Sequence, residues 1–205
     1  MEVSTPRCQQ YRFSIGLNSL IQTSLTVRFI AFISLILFSF SAFSGGLLIS
    51  PPKEPMPFIK SAFPGADRIA EKSGDPLIRM VYQGENVIGY AFETDDVARI
   101  PAYSGEPVNT LVSMNTKGEI ISANVLEHHE PILLVGIPEQ TLYDFTDQYQ
   151  GIHVSSKVKV GSGHLSDIEY IDGVSGATVT VMVVNMGVMR AATKVAIAHG
   201  IIDAN

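Results

Sequence analysis

The run Asp172-Gly173-Val174-Ser175-Gly176-Ala177-Thr178, continued by Val179-Thr180, holds the residue types and spacing with the most chemical potential in this chain. It sets a hydroxyl at the mouth of a long apolar segment that reads as a helix. A helix leaves its first amide donors unpaired. With the positive end of the helix dipole, those donors form an anion site. A threonine oxygen placed there can act as the acceptor in phosphoryl transfer, leaving a phosphodiester to a nucleotide. Gly176 and Ala177 are small enough for another molecule to approach the backbone closely. The same residues also suit an ordinary helix N-cap, in which Ser175 or Thr178 contributes about 1 kcal/mol. Residue types alone leave both readings open.

The segment Glu127-His128-His129-Glu130 is the other cluster of reactive side chains. Adjacent residues on a strand point to opposite faces, so the two imidazoles cannot share an ion without a bend. No third ligand stands at a recognised spacing, so no metal site is assigned. A turn-forming, hydrogen-bonded role is expected for the pair. His153, His164 and His199 read as surface residues. Met182, Met186 and Met189, at helical spacing, read as core packing. Gly161-Ser162-Gly163-His164 lacks the strand-loop-helix context of a phosphate loop and reads as a flexible connection. Asp95, Asp96, Asp144 and Asp147 show no pairing suited to acid–base work and are expected to be solvated. No catalytic residue is assigned.

The elements that must position these residues are legible in outline. Leu77 to Tyr82 and Val87 to Phe92 flank Gln83-Gly84-Glu85-Asn86, and Thr110 to Met114 and Ile120 to Leu126 flank a second glycine-containing connector. Both read as hairpins. Pro138 to Tyr149 predicts a helix with proline at its start. Val154 to Val160 and Ile168 to Ile171 read as strands. Val179 to His199 predicts a mostly buried helix ended by Gly200. Pro51 to Pro57 reads as an extended, semi-rigid connector, with short helices expected across Phe58 to Phe63 and around Ala66 to Lys72. Hairpins interleaved with helices point to an α+β fold with a mostly antiparallel sheet.

Composition narrows the function classes. The chain has 205 residues, enough for one domain and an appendage. Phe29 to Leu48 carries no charge and follows Arg7, Arg12 and Arg28, the pattern of a secretory signal or N-terminal membrane anchor. Ala42-Phe43-Ser44 before Gly45-Gly46 offers small residues for cleavage. The expected organisation is a signal or anchor over 1–50, a proline-rich linker over 51–62 and a cofactor domain over 63–205, exported to the far side of the membrane. Three arginines against one glutamate give +2 through Ser50, so the overall −6 leaves −8 for residues 51–205. A domain that acidic is a poor candidate for nucleic acid. The single cysteine, Cys8, precedes the apolar run, so the exported part has no disulfide, thiolate cluster or haem attachment.

Asp172 to Thr178 resembles the flavinylation motif of the FMN-binding domain found in subunits of the Rnf and sodium-pumping NADH:quinone oxidoreductase complexes and in proteins of the NosR/NirI type. Leu126 to Glu139 (LEHHEPILLVGIPE) is similar to the NosR-type branch. Tyr103-Ser104-Gly105-Glu106-Pro107 is similar to the family's Tyr/Gly/Pro loop, with Glu106 in place of a small residue. The resemblance covers roughly Phe63 to Ala198. It implies FMN joined covalently to Thr178 through a phosphoester. Asp172, Ser175, Gly176, Ala177, Val179, Thr180, Glu127, His128, Tyr103 and Gly105 complete the implied cofactor-binding set, His128 as a flavin contact.

It also implies a separate flavin transferase that uses FAD and Mg, and a periplasmic location on the bacterial inner membrane. The implied role is electron transfer supporting nitrous-oxide reduction, with nitrous-oxide reductase or its assembly factors as partners. A regulatory or assembly module is the alternative. Family members normally continue into membrane helices and iron–sulfur motifs, whereas this chain stops at Asn205. A fragment, a stand-alone domain and a truncated remnant are the expectations that follow.

Overall fold

In the computed structural model, residues 52–204 are described; the expected signal or anchor over 1–50 lies outside them. Five strands form an antiparallel meander in the order β1-β2-β3-β4-β5: Arg68–Ile69, Arg79–Gln83, Asn86–Glu93, Asn109–Asn115 and Ile120–Glu127. The two predicted hairpins are its centre. Gly84 turns the first at φ 59, and its amide donates to Asp67 Oδ2 at 2.6 Å. Among the described residues the helices are α1 (Pro55–Ala62), α2 (Thr94–Val97), α3 (Pro131–Val135), α4 (Glu139–Asp147) and α5 (Thr178–Ala198). A separate parallel pair, β6 (Lys157–Val160) and β7 (Ile168–Ile171), lies between α4 and α5 in the chain. The fold is α+β, as the alternation of hairpins and helices predicts.

Strand pleating divides the core in two. Tyr90, Phe92, Val112, Met114, Ala123 and Val125 belong to one cluster with the buried side of α5. Val81, Ala91, Leu111 and Leu126 belong to the other, with Ile59 and Phe63 of the N-terminal segment. In β5 the register slips twice against β4, so that Ile121 and Leu126 fall at the irregularities and both join the second cluster. A bulge inserts one residue and re-aims its side chain, which is how a strand of plain alternation serves two faces here.

The second cluster corrects the reading of the N-terminal connector. Helix α1 begins at Pro55, not Phe58, because proline at the first helical positions costs nothing where the amide has no partner. Lys53 N–H donates to Leu126 O at 2.9 Å, so the segment before α1 is fastened to the last strand and is no free spacer. The helix expected around Ala66 to Lys72 is replaced by β1, whose Arg68 and Ile69 pair with Tyr82 and Val81. Pairing to an available sheet edge outweighs weak local propensity. The strand expected from Val154 begins only at Lys157.

Helix α5 is apolar enough, by length and composition, to cross a membrane, but half of its most apolar window is buried inside this fold. Val181, Val184, Val188, Ala191, Ala192, Val195 and Ala196 face the first cluster at helical spacing. Gly200, at φ 66, ends the helix. Its amide donates to Ile197 O and the amide of Ile201 donates to Ala196 O, the paired bonds of a Schellman cap. The methionine expectation fails in part: Met189 packs on the core, but Met182 is 52% exposed and Met186 is exposed. A stripe of Val179, Met182 and Met186 therefore faces solvent from the first turn of α5 onward.

One close approach fixes a residue type absolutely. A Cβ on Gly89 would stand 2.3 Å from Phe63 Cε1 and 2.7 Å from Met114 O. The ring of Phe63 lies directly on the strand backbone. Gly89→Ala is expected to lower the unfolding free energy by about 1–3 kcal/mol, the usual cost of overpacking, read as a lower urea midpoint with an unchanged slope.

Candidate functional site

Helix α5 opens from a tight turn. Ala177 N–H donates to Val174 O at 3.1 Å, and Gly176 between them has φ 83, the positive value a type II turn requires at that position. A Cβ on Gly176 would also meet Ile137 Cδ1 at 3.3 Å, so the residue is both turned and closely backed. The N-cap is Ala177, and no side chain caps the helix. The alternative in which Ser175 or Thr178 is an ordinary cap is thereby set aside. Thr178 is the first helical residue and is exposed. The amides of the first turn lack a side-chain acceptor, which is the condition for an anion site.

Both ends of this segment are held from outside it. At Asp172, the Gln148 side chain accepts from the backbone N–H at 2.7 Å and donates to the backbone O at 3.1 Å. The Asp172 carboxyl is thereby left pointing outward and exposed. At the other end, Thr180 Oγ1 donates to Glu130 Oε2 at 2.5 Å. Glu130 Oε1 accepts from Ser104 N–H at 3.0 Å. Glu130 is 0% exposed and Thr180 2% exposed. One carboxyl thus ties the Tyr103 loop to the first turn of α5. The two hydroxyls flanking Val179 have opposite fates: Thr180 is buried and committed, Thr178 exposed and uncommitted among the described residues.

Tyr103 and Gly105 stand on a loop closed by Ala102 N–H to Glu106 O at 2.9 Å and Gly105 N–H to Ala102 O at 3.0 Å. Tyr103 is exposed beside the residue that Glu130 holds, and that bond brings the loop to α5. The Glu127 to Glu130 segment alternates as a strand should. His128 and Glu130 turn inward, while Glu127 and His129 line a cavity of about 150 Å³ with Asp95, Arg99, Glu106, Pro107 and Asn109. Glu127 and His128 therefore serve different sides, and the two imidazoles share nothing. No cluster of metal-ligating side chains is present among the described residues.

Three expectations change here. His128 is not hydrogen-bonded: it is 2% exposed and neither ring nitrogen has a hydrogen-bond partner. Its nearest carboxyl oxygen, Glu139 Oε1, stands 3.7 Å from Nε2, and Glu139 is also bonded to Tyr143 and Lys53. Burial pushes the His128 pKa down from 6.5, against the pull of Glu139 and Glu130. Asp95 is not simply solvated, since Oδ1 is buried without a hydrogen bond and burial pushes its pKa up. Asp96 pairs with Lys72 at 2.6 Å. His199 stacks on Tyr90 with ring centroids 4.4 Å apart, so it is not a plain surface residue. Glu130 and Gln148 brace this region through contacts that the sequence does not announce. Glu130 carried a signal, as the one carboxylate of its cluster followed at once by Pro and an apolar run, but its partners lie 26 and 50 positions away.

The molecule is an α+β domain that presents an exposed hydroxyl at the uncapped N-terminus of a long, half-buried helix. Residues 103–193 match the FMN-binding domain family. The chain is 49% identical over 145 residues to Regulatory protein NosR of Pseudomonas aeruginosa, covering 71% of this chain and 20% of the relative. It is 47% identical over 142 residues to Regulatory protein NosR of Stutzerimonas stutzeri, 69% of this chain and 20% of the relative. To Protein NirI of Paracoccus denitrificans it is 30% identical over 115 residues, 56% of this chain and 16% of the relative. The chain carries an FMN-binding domain of the NosR/NirI type. It spans about a fifth of the length of these relatives.

Two outcomes follow from the geometry. Glu130→Ala is expected to cost about 3 kcal/mol, because it strands the Ser104 amide and the Thr180 hydroxyl, whereas Thr180→Val costs about 1 kcal/mol and Thr178→Val almost nothing. Urea midpoints order the three. The second concerns pH. A histidine held neutral by burial has a lower pKa folded than unfolded, so the unfolded state binds more protons once pH drops below about 6.5. Stability is therefore full above that value and falls as pH falls toward the folded pKa. His199, also pushed down by burial, contributes with the same sign. His128→Gln is expected to flatten the fall below about pH 6.5 in urea titrations.

Proposed function

We propose that this domain carries FMN as a phosphoester on Thr178 Oγ1 and serves as an exported electron-transfer domain. The observation that carries the reading is the contrast between the two hydroxyls: Thr178 is exposed at the first position of a 21-residue helix without a side-chain cap, while Thr180 is spent on Glu130. The residues present fit the cofactor. The open amides of the first turn and the helix dipole suit a phosphate. The exposed stripe of Val179 and Met182, with Tyr103 across the Glu130 bridge, offers an apolar and aromatic surface for a flavin ring.

Attachment is the work of a flavin transferase using FAD and Mg. The Thr178 oxygen attacks the flavin-side phosphorus, the pyrophosphate bond breaks, AMP leaves, and the hydroxyl proton is released. The exposed Asp172 carboxyl, presented by Gln148, would belong to the surface that the transferase reads. FMN supplies acceptance and release of electrons when bound. The chain's own part is to hold the phosphate, orient the ring and keep the tether in place, so that the cofactor cannot be lost outside the cell.

The setting proposed is the periplasmic side of the bacterial inner membrane, in support of nitrous-oxide reduction, with nitrous-oxide reductase or its assembly factors as partners. A second reading draws on the relatives named as regulatory proteins. In it the flavin reports redox state to a partner that controls expression or maturation of the reductase.

Co-expression with a transferase, followed by intact mass and in-gel flavin fluorescence, tests the attachment. Wild type and Thr180→Val are expected to gain the FMN mass, and Thr178→Val to lose it. Modification that survives Thr178→Val removes the claim. Reductase activity in cells carrying Thr178→Val separates the two roles: lost turnover with a mature reductase favours electron transfer, and an absent or immature reductase favours regulation.

A further inference from the structure

His128 is the polar group that the functional reading leaves unused. A buried nitrogen without a hydrogen-bond partner is costly, and such a group in a folded protein calls for a reason. Its surroundings supply one. From α4, Glu139 places Oε1 3.7 Å from Nε2, too far for a hydrogen bond and close enough to become one, and Tyr143 adjoins that carboxyl. From the segment before α1, Lys53 reaches the same carboxyl at 3.2 Å and stands 3.8 Å from the centre of the Tyr143 ring. From its own segment, Glu130 turns to the same inward side and His129 to the other. Glu130 is bonded directly to the first turn of α5. The Glu139 side chain is 36% exposed, so it touches both solvent and the buried ring.

We propose that His128 is the redox-linked proton acceptor of this domain, taking up a proton at Nε2, by way of Glu139, when the flavin site becomes more negative. The inference rests on FMN at Thr178. With dithionite as reductant, two electrons reach the cofactor together with one proton of its own, and the remaining unit of negative charge is matched by a second proton, from solvent, on His128. No bond other than these proton transfers is made or broken at the histidine. The protonated ring closes on Glu139 and satisfies one of its orphaned nitrogens. A unit negative charge about 10 Å away, at an effective dielectric near 20, raises a group's proton affinity roughly tenfold.

The experiment is an NMR titration of protein labelled with ¹⁵N in its imidazoles, FMN-loaded, oxidised and then reduced with dithionite. The His128 signal is the one missing from His128→Gln. Its midpoint is expected to rise by about one pH unit on reduction, the tenfold change above. In Glu139→Gln the midpoint is expected to be lower in both states. Intact mass on the same sample reports the adduct independently. A midpoint unmoved by reduction in a sample that carries the adduct overturns the inference and leaves the attachment standing. Absence of the adduct removes both. A midpoint that Glu139→Gln leaves unchanged overturns the part given to Glu139.

Discussion

Glu130 has no exposed surface, yet its two oxygens take hydrogen bonds from segments that have no other reason to meet: the backbone after Tyr103 and the first turn of α5. A buried carboxyl is costly unless its oxygens are satisfied, so the group and its partners hold one another in place. The bridge links the Tyr103 loop to the α5 opening, beside the turn closed between Val174 and Ala177 and the Gln148 contacts that hold the other end of the segment. Pro131 immediately after Glu130 begins α3, which fixes the direction in which the carboxyl enters the site.

The rest of the domain keeps that bridge rigid. Helix α5 lies along one face of the meander through a row of valines and alanines, and α1 covers the other through Ile59 and Phe63. Asn185 is the polar interruption in the helix: it accepts from the buried Tyr149 hydroxyl at 2.9 Å and donates to Val158 O at 3.4 Å. It thereby joins α5 to β6 and to the turn that follows α4. Gln148, next to Tyr149 in the chain, holds the Asp172 backbone, so the residues that follow α4 brace the turn before α5.

A consequence is a division of labour between neighbouring residues. Thr178 and Thr180 differ in exposure because one helical turn presents them at different angles to Glu130. His128 and His129 differ because an extended chain alternates. Neighbouring residues of one type thus stand in different surroundings, one exposed or lining a cavity and the other buried.

The sequence by itself determined the two hairpins and the long C-terminal helix with its glycine stop, because these follow from local periodicity and from residues with restricted backbone preferences. It also fixed that His128 and His129 could not act together. Only the tertiary structure decided that Thr178 is not a cap, that Met182 and Met186 face solvent, that the proline-rich segment is fastened to β5, and that Glu130 bridges the Tyr103 loop and α5. Each of these depends on which distant group occupies the neighbouring space. Glu130 meets Ser104 and Thr180 across 26 and 50 residues of chain, a separation at which spacing cannot name the partners.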